Sequence, residues 1–107
     1  MADFLYVVQL DIPADLEDDF NRIYDTQHVP EILQVPGVRS CTRYVLDSAL
    51  ENGSPRYAAV YEVSSPDVVN SPEWKAASDN GDWKPQIRPH TSNRIRCIYR
   101  KLAGSER

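Results

Sequence analysis

Phe4, Tyr6, Val8, Leu10 and Ile12 occupy alternate positions, the period of a β-strand, and Pro13 ends the run. The period then changes. Leu16, Phe20, Ile23 and Gln27 recur at i, i+4, i+7 and i+11, which predicts a helix over 14–28 whose stripe packs on a sheet. Asp15, Glu17, Asp18 and Asp19 fall in its first turns, where the helix dipole favours negative charge. Pro30 disfavours helical geometry at Val29, so the helix is expected to break or kink there. Ile32 and Leu33 continue in a short turn, and Pro36 with Gly37 forms the next one.

A second strand is predicted over 38–46, with Val38, Ser40, Thr42, Tyr44 and Leu46 alternating against Arg39, Cys41, Arg43 and Val45. The polar stretch 47–55 contains Asn52-Gly53, a strong turn dipeptide, so a third strand over 57–63 should pair with the second as an antiparallel hairpin. Ser65-Pro66 and Ser71-Pro72 each place a capping residue before a proline suited to the first helical position. One or two short helices are expected between 66 and 80, with Gly81 as a stop. Pro85 and Pro89 make 83–90 irregular, 92–101 reads as a last strand, and 103–107 as a frayed tail.

The order β-α-β-β-α-β predicts an α+β, ferredoxin-like fold with a four-stranded antiparallel sheet, in a single domain over 1–102. Helices on one face leave the other uncovered. Leu5, Val7, Cys41, Val45, Ala58 and Val60 are the apolar residues expected there, enough to mark an interaction surface, and pairing two sheets in a homodimer would bury them.

The chain has 107 residues, room for one hydrophobic core. Its net charge of -4 argues against nucleic acid or an anionic membrane as partner. Arg94, Arg96, Arg100 and Lys101 cluster near the C-terminus, mostly on one strand face, which reads as a solvated face or subunit contact rather than a phosphate site. Cys41 and Cys97 lack the spacing of a zinc pair and fit a reduced, cytoplasmic setting. Neither a secretory signal nor an apolar run of roughly 20 residues that would span a bilayer is visible.

The stretch 24–37 carries the candidate chemistry. It puts His28, one of two histidines, at the end of the amphipathic helix, three residues after Asp25. Imidazole titrates nearest neutrality, and a carboxylate one turn away can orient it; a helix-end histidine is also stabilised by the dipole alone. The run Phe20-Asn21-Arg22-Ile23-Tyr24-Asp25-Thr26-Gln27-His28-Val29-Pro30-Glu31, then Pro36-Gly37-Val38 and Arg43-Tyr44, resembles the dimeric α/β-barrel superfamily, most closely its EthD-like members. Ser71-Pro72-Glu73-Trp74 is similar to their second-helix region. The resemblance implies a homodimer whose sheets form a shared barrel, with a pocket between sheet and helices in each subunit. It also implies cofactor-independent isomerases, lyases, cyclases or monooxygenases acting on small aromatic or polyketide-like metabolites, and an acid/base role at His28.

The chemistry expected is isomerase or lyase proton transfer on a hydrophobic or aromatic metabolite, with His28 as the acid/base and Asp25 as its partner. Tyr6, Tyr24, Tyr44 and Tyr61 can donate hydroxyls to an enolate oxygen, and Trp74 and Trp83 can wall an apolar pocket, although each also suits core packing. His90 lies in a loop that can reach a pocket mouth. No cofactor and no metal site is expected: no glycine-rich phosphate loop, serine-nucleophile motif or metal-ligand spacing occurs. Cofactor-free monooxygenation is the alternative within enzymes, and a ligand-binding or accessory barrel the alternative outside them.

Overall fold

The alternation that begins at Phe4 forms β1 (Phe4–Asp11), the strand on which the other elements are assembled. A computed structural model describes residues 3–107. β2 (Val38–Val45), β3 (Tyr57–Val63) and β4 (Ser92–Arg100) complete one sheet in the order β2-β3-β1-β4, with every pairing antiparallel. This is the ferredoxin-like β-α-β-β-α-β arrangement, and α+β is the fold class. Tyr6 lies opposite Tyr61 on one side and Ile98 on the other, while Val8 lies opposite Ala59 and Arg96.

The first helical run departs from expectation. It comprises α1 (Glu17–Ile23), a π-helical turn over Tyr24–His28, and α2 (Val29–Ile32), with helical dihedrals throughout. Pro30 therefore neither breaks the chain at Val29 nor ends the helix. In an α-helical register its ring would strike the carbonyl of Thr26 and leave that carbonyl without a donor. The wider turn avoids this, and the Val29 N–H bonds the carbonyl of Tyr24, five residues back.

After β3, a 3-10 turn (Pro66–Asn70) and α3 (Pro72–Asp79) follow the two Ser-Pro pairs. Ser65 accepts from the Asp67 N–H at 3.2 Å, and Ser71 from the Trp74 N–H at 3.1 Å. Gly81 (φ +70) ends the helix as expected. The segment expected to be irregular is helical instead: a π-helical turn over Trp83–Ile87 and a 3-10 turn over Arg88–His90. In turns this short the donor that proline lacks is one that would go unpaired anyway.

A bulge in β2 is the second correction. Val38 pairs with Val63, but Ser40 pairs with Glu62, so one extra residue resets the alternation. Cys41, Arg43 and Val45 consequently face the helices, opposite Tyr61, Ala59 and Tyr57, and not the open side where Cys41 and Val45 were expected. Tyr44 goes to the open side instead, beside Leu5, Val7, Ala58 and Val60 and, from β4, Ile95, Cys97 and Tyr99.

The helix-covered face forms the core. Val8, Leu10, Ala59, Tyr61 and Val63 of the sheet pack with Phe20, Ile23, Ile32, Val68 and Ile87 in one buried cluster. Gly37 (φ +93) lies so close under Val68 that a Cβ there would stand 2.5 Å from Cγ2 of that valine. Residues 101–107 are exposed without regular structure. Among the described residues no helix is long and apolar enough to cross a membrane.

Candidate active site

A cavity of about 390 Å3 lies between the covered face of the sheet and the helical layer. Tyr6, Val8 and Leu10 of β1 and Tyr61 of β3 line its sheet side, because alternate residues of these strands point there. The π-helical turn contributes Tyr24 and His28, α3 contributes Trp74, and the turn after Gly81 contributes Trp83. Lys75, Asp79, Arg88, Arg94 and Arg96 add charge to the lining.

His28 is 5% exposed, the only buried polar or charged residue among those described. Its ring centroid stands 4.9 Å from Tyr24 and 4.7 Å from Trp83. Nδ1 is sealed from solvent without a hydrogen-bond partner, so the open edge of the ring is the Nε2 edge. Burial, assisted by the positive charges of Arg88 and Arg43, lowers its pKa from the usual 6.5 to about 4. The imidazole is therefore neutral at pH 7.

Asp25, expected to orient this ring, is engaged elsewhere. Its Oδ1 accepts from Arg43 Nη1 at 2.7 Å, and its side chain is largely exposed. Arg43 reaches from β2 across the ring of Tyr24, 4.5 Å from its centroid, and donates to Asn21 Oδ1 at 2.8 Å.

Two hydroxyls meet inside the cavity: Tyr24 Oη and Tyr61 Oη are 2.6 Å apart, and burial holds both phenols above their ordinary range. Tyr6 accepts from Arg96 Nε at 2.8 Å and packs against Trp74, which meets both Tyr6 and Tyr61 at 5.3 Å. Cys41, opposite Tyr61, is pushed up to about 11 by burial and stays a thiol.

The structure thus brings Tyr6, Tyr24, His28, Tyr61, Trp74 and Trp83 around one cavity. It leaves three candidates outside: Asp25, paired with Arg43; Tyr44, 57% exposed on the opposite face of the sheet because of the β2 bulge; and His90, exposed at the end of its 3-10 turn. Lys75, Arg88, Arg94 and Arg96 line the cavity without having been anticipated as site residues. The available signal was the alternation of β4, which becomes readable only once Arg96 is known to sit opposite Val8. Among the described residues no group of three or more histidine, cysteine or carboxylate side chains is placed to hold a metal.

No protein-family model and no curated protein matches the chain. Solved structures share its fold. The haem-degrader MhuD from Mycobacterium tuberculosis, with two haems bound in its active site, superposes with a TM-score of 0.65 at 12% identity, over 96% of this chain and 99% of that one. An EthD family protein from Bacillus halodurans gives 0.63 at 14% identity, over 92% and 99%. A putative antibiotic biosynthesis monooxygenase from Nitrosomonas europaea gives 0.60 at 12% identity, over 94% and 99%. At such identities the likeness is one of fold: the chain shares the ferredoxin-like architecture of these proteins. The rings around the cavity meet at steep angles: Trp74 lies edge-on to Tyr6 and Tyr61, at 83° and 73°, and Trp83 stands 4.7 Å from His28.

Proposed function

We propose that this protein is a cofactor-independent enzyme of the isomerase or lyase type, moving a proton on a small aromatic metabolite with His28 as acid/base. The observation that carries the reading is a neutral, buried imidazole with no hydrogen-bond partner on Nδ1, set among aromatic side chains in a cavity. Nε2 takes a proton from an acidic carbon of the substrate. The imidazolium returns it at a second position, completing an isomerisation, or a leaving group departs from the neighbouring carbon. A histidine with a pKa of about 4 is a weak base, so the work falls on stabilising the anion. The Tyr24–Tyr61 hydroxyl pair is suited to that, since one phenol can donate to the enolate oxygen while the other donates to the first.

A second reading is oxygenation, favoured by the structural likeness to a putative monooxygenase: the same carbanion would react with dioxygen. A barrel that binds its ligand without turning it over is the non-enzymatic reading. In all three the working unit is a homodimer joined through the open sheet face, where Tyr99 is 60% exposed beside Leu5 and Ile95, and the free thiols of Cys41 and Cys97 suit a cytoplasmic setting.

Phenylpyruvate in deuterated water tests the reading. Wild type should accelerate exchange of its benzylic protons, and His28→Gln should lose that acceleration by about a hundredfold or more while still binding the probe. Oxygen uptake during the reaction would select the monooxygenase reading. Binding without exchange by wild type would sink the enzyme.

A further inference from the structure

The charge of the cavity runs against that of the chain. A protein of net charge -4 lines this space with Lys75, Arg88, Arg94 and Arg96 against the single carboxylate of Asp79. That carboxylate is already occupied: Lys75 Nζ and Arg88 Nη1 each approach it at 2.9 Å, and Lys84 Nζ at 3.4 Å. Arg94 and Arg96 have no such partner. Arg96 donates through Nε to the hydroxyl oxygen of Tyr6 at 2.8 Å, which leaves its two terminal nitrogens without a hydrogen-bond partner. The side chain of Arg94 makes no ion pair or hydrogen bond among the described residues, and both arginines, exposed to solvent, line the cavity from the edge strand β4.

Two uncompensated guanidinium groups on one wall of an aromatic cavity form a recognition site for a planar anion, since each fork matches a carboxylate with paired N–H donors. We infer that Arg94 and Arg96 bind the carboxylate of an aromatic acid whose ring lies among Trp74, Trp83 and His28. This rests on the reading of the cavity as a substrate site and names the class of substrate: an aromatic or aryl-substituted carboxylic acid. Arg96 is tethered by Tyr6, so its fork is held in place before the ligand arrives. Tyr6 thereby becomes a positioning residue for the anion.

Calorimetric titration with 2-naphthoate and its neutral isostere 2-naphthamide tests this. Wild type should bind the acid at least tenfold more tightly than the amide. Arg94→Met should weaken the acid about tenfold and leave the amide unchanged; since the Arg94 side chain makes no ion pair or hydrogen bond, the variant removes none from the fold. Arg96→Lys, which keeps the charge but loses the fork, should fall between wild type and Arg94→Met. Equal affinity for acid and amide, or no binding of either at millimolar concentration, overturns the inference. So does an Arg94→Met protein that binds naphthoate normally but sediments as a monomer, which would assign the arginine to the subunit contact. Catalysis is judged separately: His28→Gln should keep the preference for acid over amide, so loss of proton exchange cannot be mistaken for loss of the anion site.

Discussion

The imidazole of His28 and the indole of Trp83 stand 4.7 Å apart, centroid to centroid, with their planes tilted by 33°. The two come from segments 55 residues apart in sequence, and each keeps the other dry. Burial is the largest cause of the lowered pKa of His28, and Trp83 is the ring nearest to it. Trp83→Ala should open this wall, return the His28 pKa toward 6.5 and cost about 3 kcal/mol of stability. Proton NMR titration of the imidazole and urea unfolding measure the two effects. An unmoved pKa would show that Trp83 does not provide the burial.

The same depressed pKa makes stability depend on pH. Between about pH 4 and pH 6.5 the unfolded chain takes up a proton at His28 that the folded chain refuses, so stability rises with pH across that window. The contribution is complete above pH 6.5 and is lost as pH falls toward 4. Going from pH 7 to pH 4.5 should cost wild type about 2 kcal/mol from this group alone. His28→Leu should unfold with a correspondingly flatter pH profile. Comparing the two proteins removes the acidic residues common to both, such as Glu17, whose pKa is held down by Tyr57 and Arg56 and whose contribution fades only at lower pH.

Gln27 holds the turn that carries Trp83. Its Nε2 donates to Asp82 Oδ2 and its Oε1 accepts from the Asp82 N–H, both at 2.9 Å. Gly81 fits beneath it only because it lacks a side chain: a Cβ would come 2.7 Å from Gln27 Oε1, on a backbone with φ +70. Gln27→Ala should cost about 1 kcal/mol and increase quenching of tryptophan fluorescence by acrylamide. Gly81→Ala should cost more, about 2 kcal/mol, because strain is added to the collision.

The paired phenols invite a separate test. Tyr61→Phe removes one hydroxyl from a buried pair 2.6 Å apart and leaves that of Tyr24 without its partner. The expected loss is about 1–2 kcal/mol in stability. Phenylpyruvate proton exchange should slow by tenfold or more. Unaltered exchange in a folded variant would remove the pair from the mechanism.

On the open face, Tyr99 of β4 lies opposite Leu5 of β1 and is 60% exposed. If two sheets meet there, Tyr99→Glu introduces a charge into the contact. Sedimentation equilibrium should show wild type as a dimer at micromolar concentration and the variant shifted toward monomer. A monomeric wild type would reject the pairing.

Local pattern explains what could be read without coordinates. The alternation in β1, the 3.6-residue stripe from Leu16 to Ile23, the Ser-Pro caps and the β3 run Tyr57–Val63 each depend on neighbours within a few residues, and they were enough for the element order and hence the fold class. The gathering of Tyr6, Tyr24, His28, Tyr61, Trp74 and Trp83 was legible only as a set of candidates. Their shared cavity depends on the packing of α3 and the 83–87 turn over the sheet.

Two of the departures fall where a single residue changes the phase of a pattern. The bulge after Val38 sends Tyr44 outward and Cys41 and Arg43 inward, since a one-residue slip in a strand reverses every side chain beyond it. The π-helical turn before Pro30 absorbs a proline that reads locally as a helix end. By itself, then, the sequence determined the elements and their order, because backbone preference and hydrophobic period are short-range. Only the tertiary structure decided which way Arg43, Tyr44, Arg94 and Arg96 point and that Asp25 serves Arg43 rather than His28, because facing depends on strand register and on partners distant in the chain.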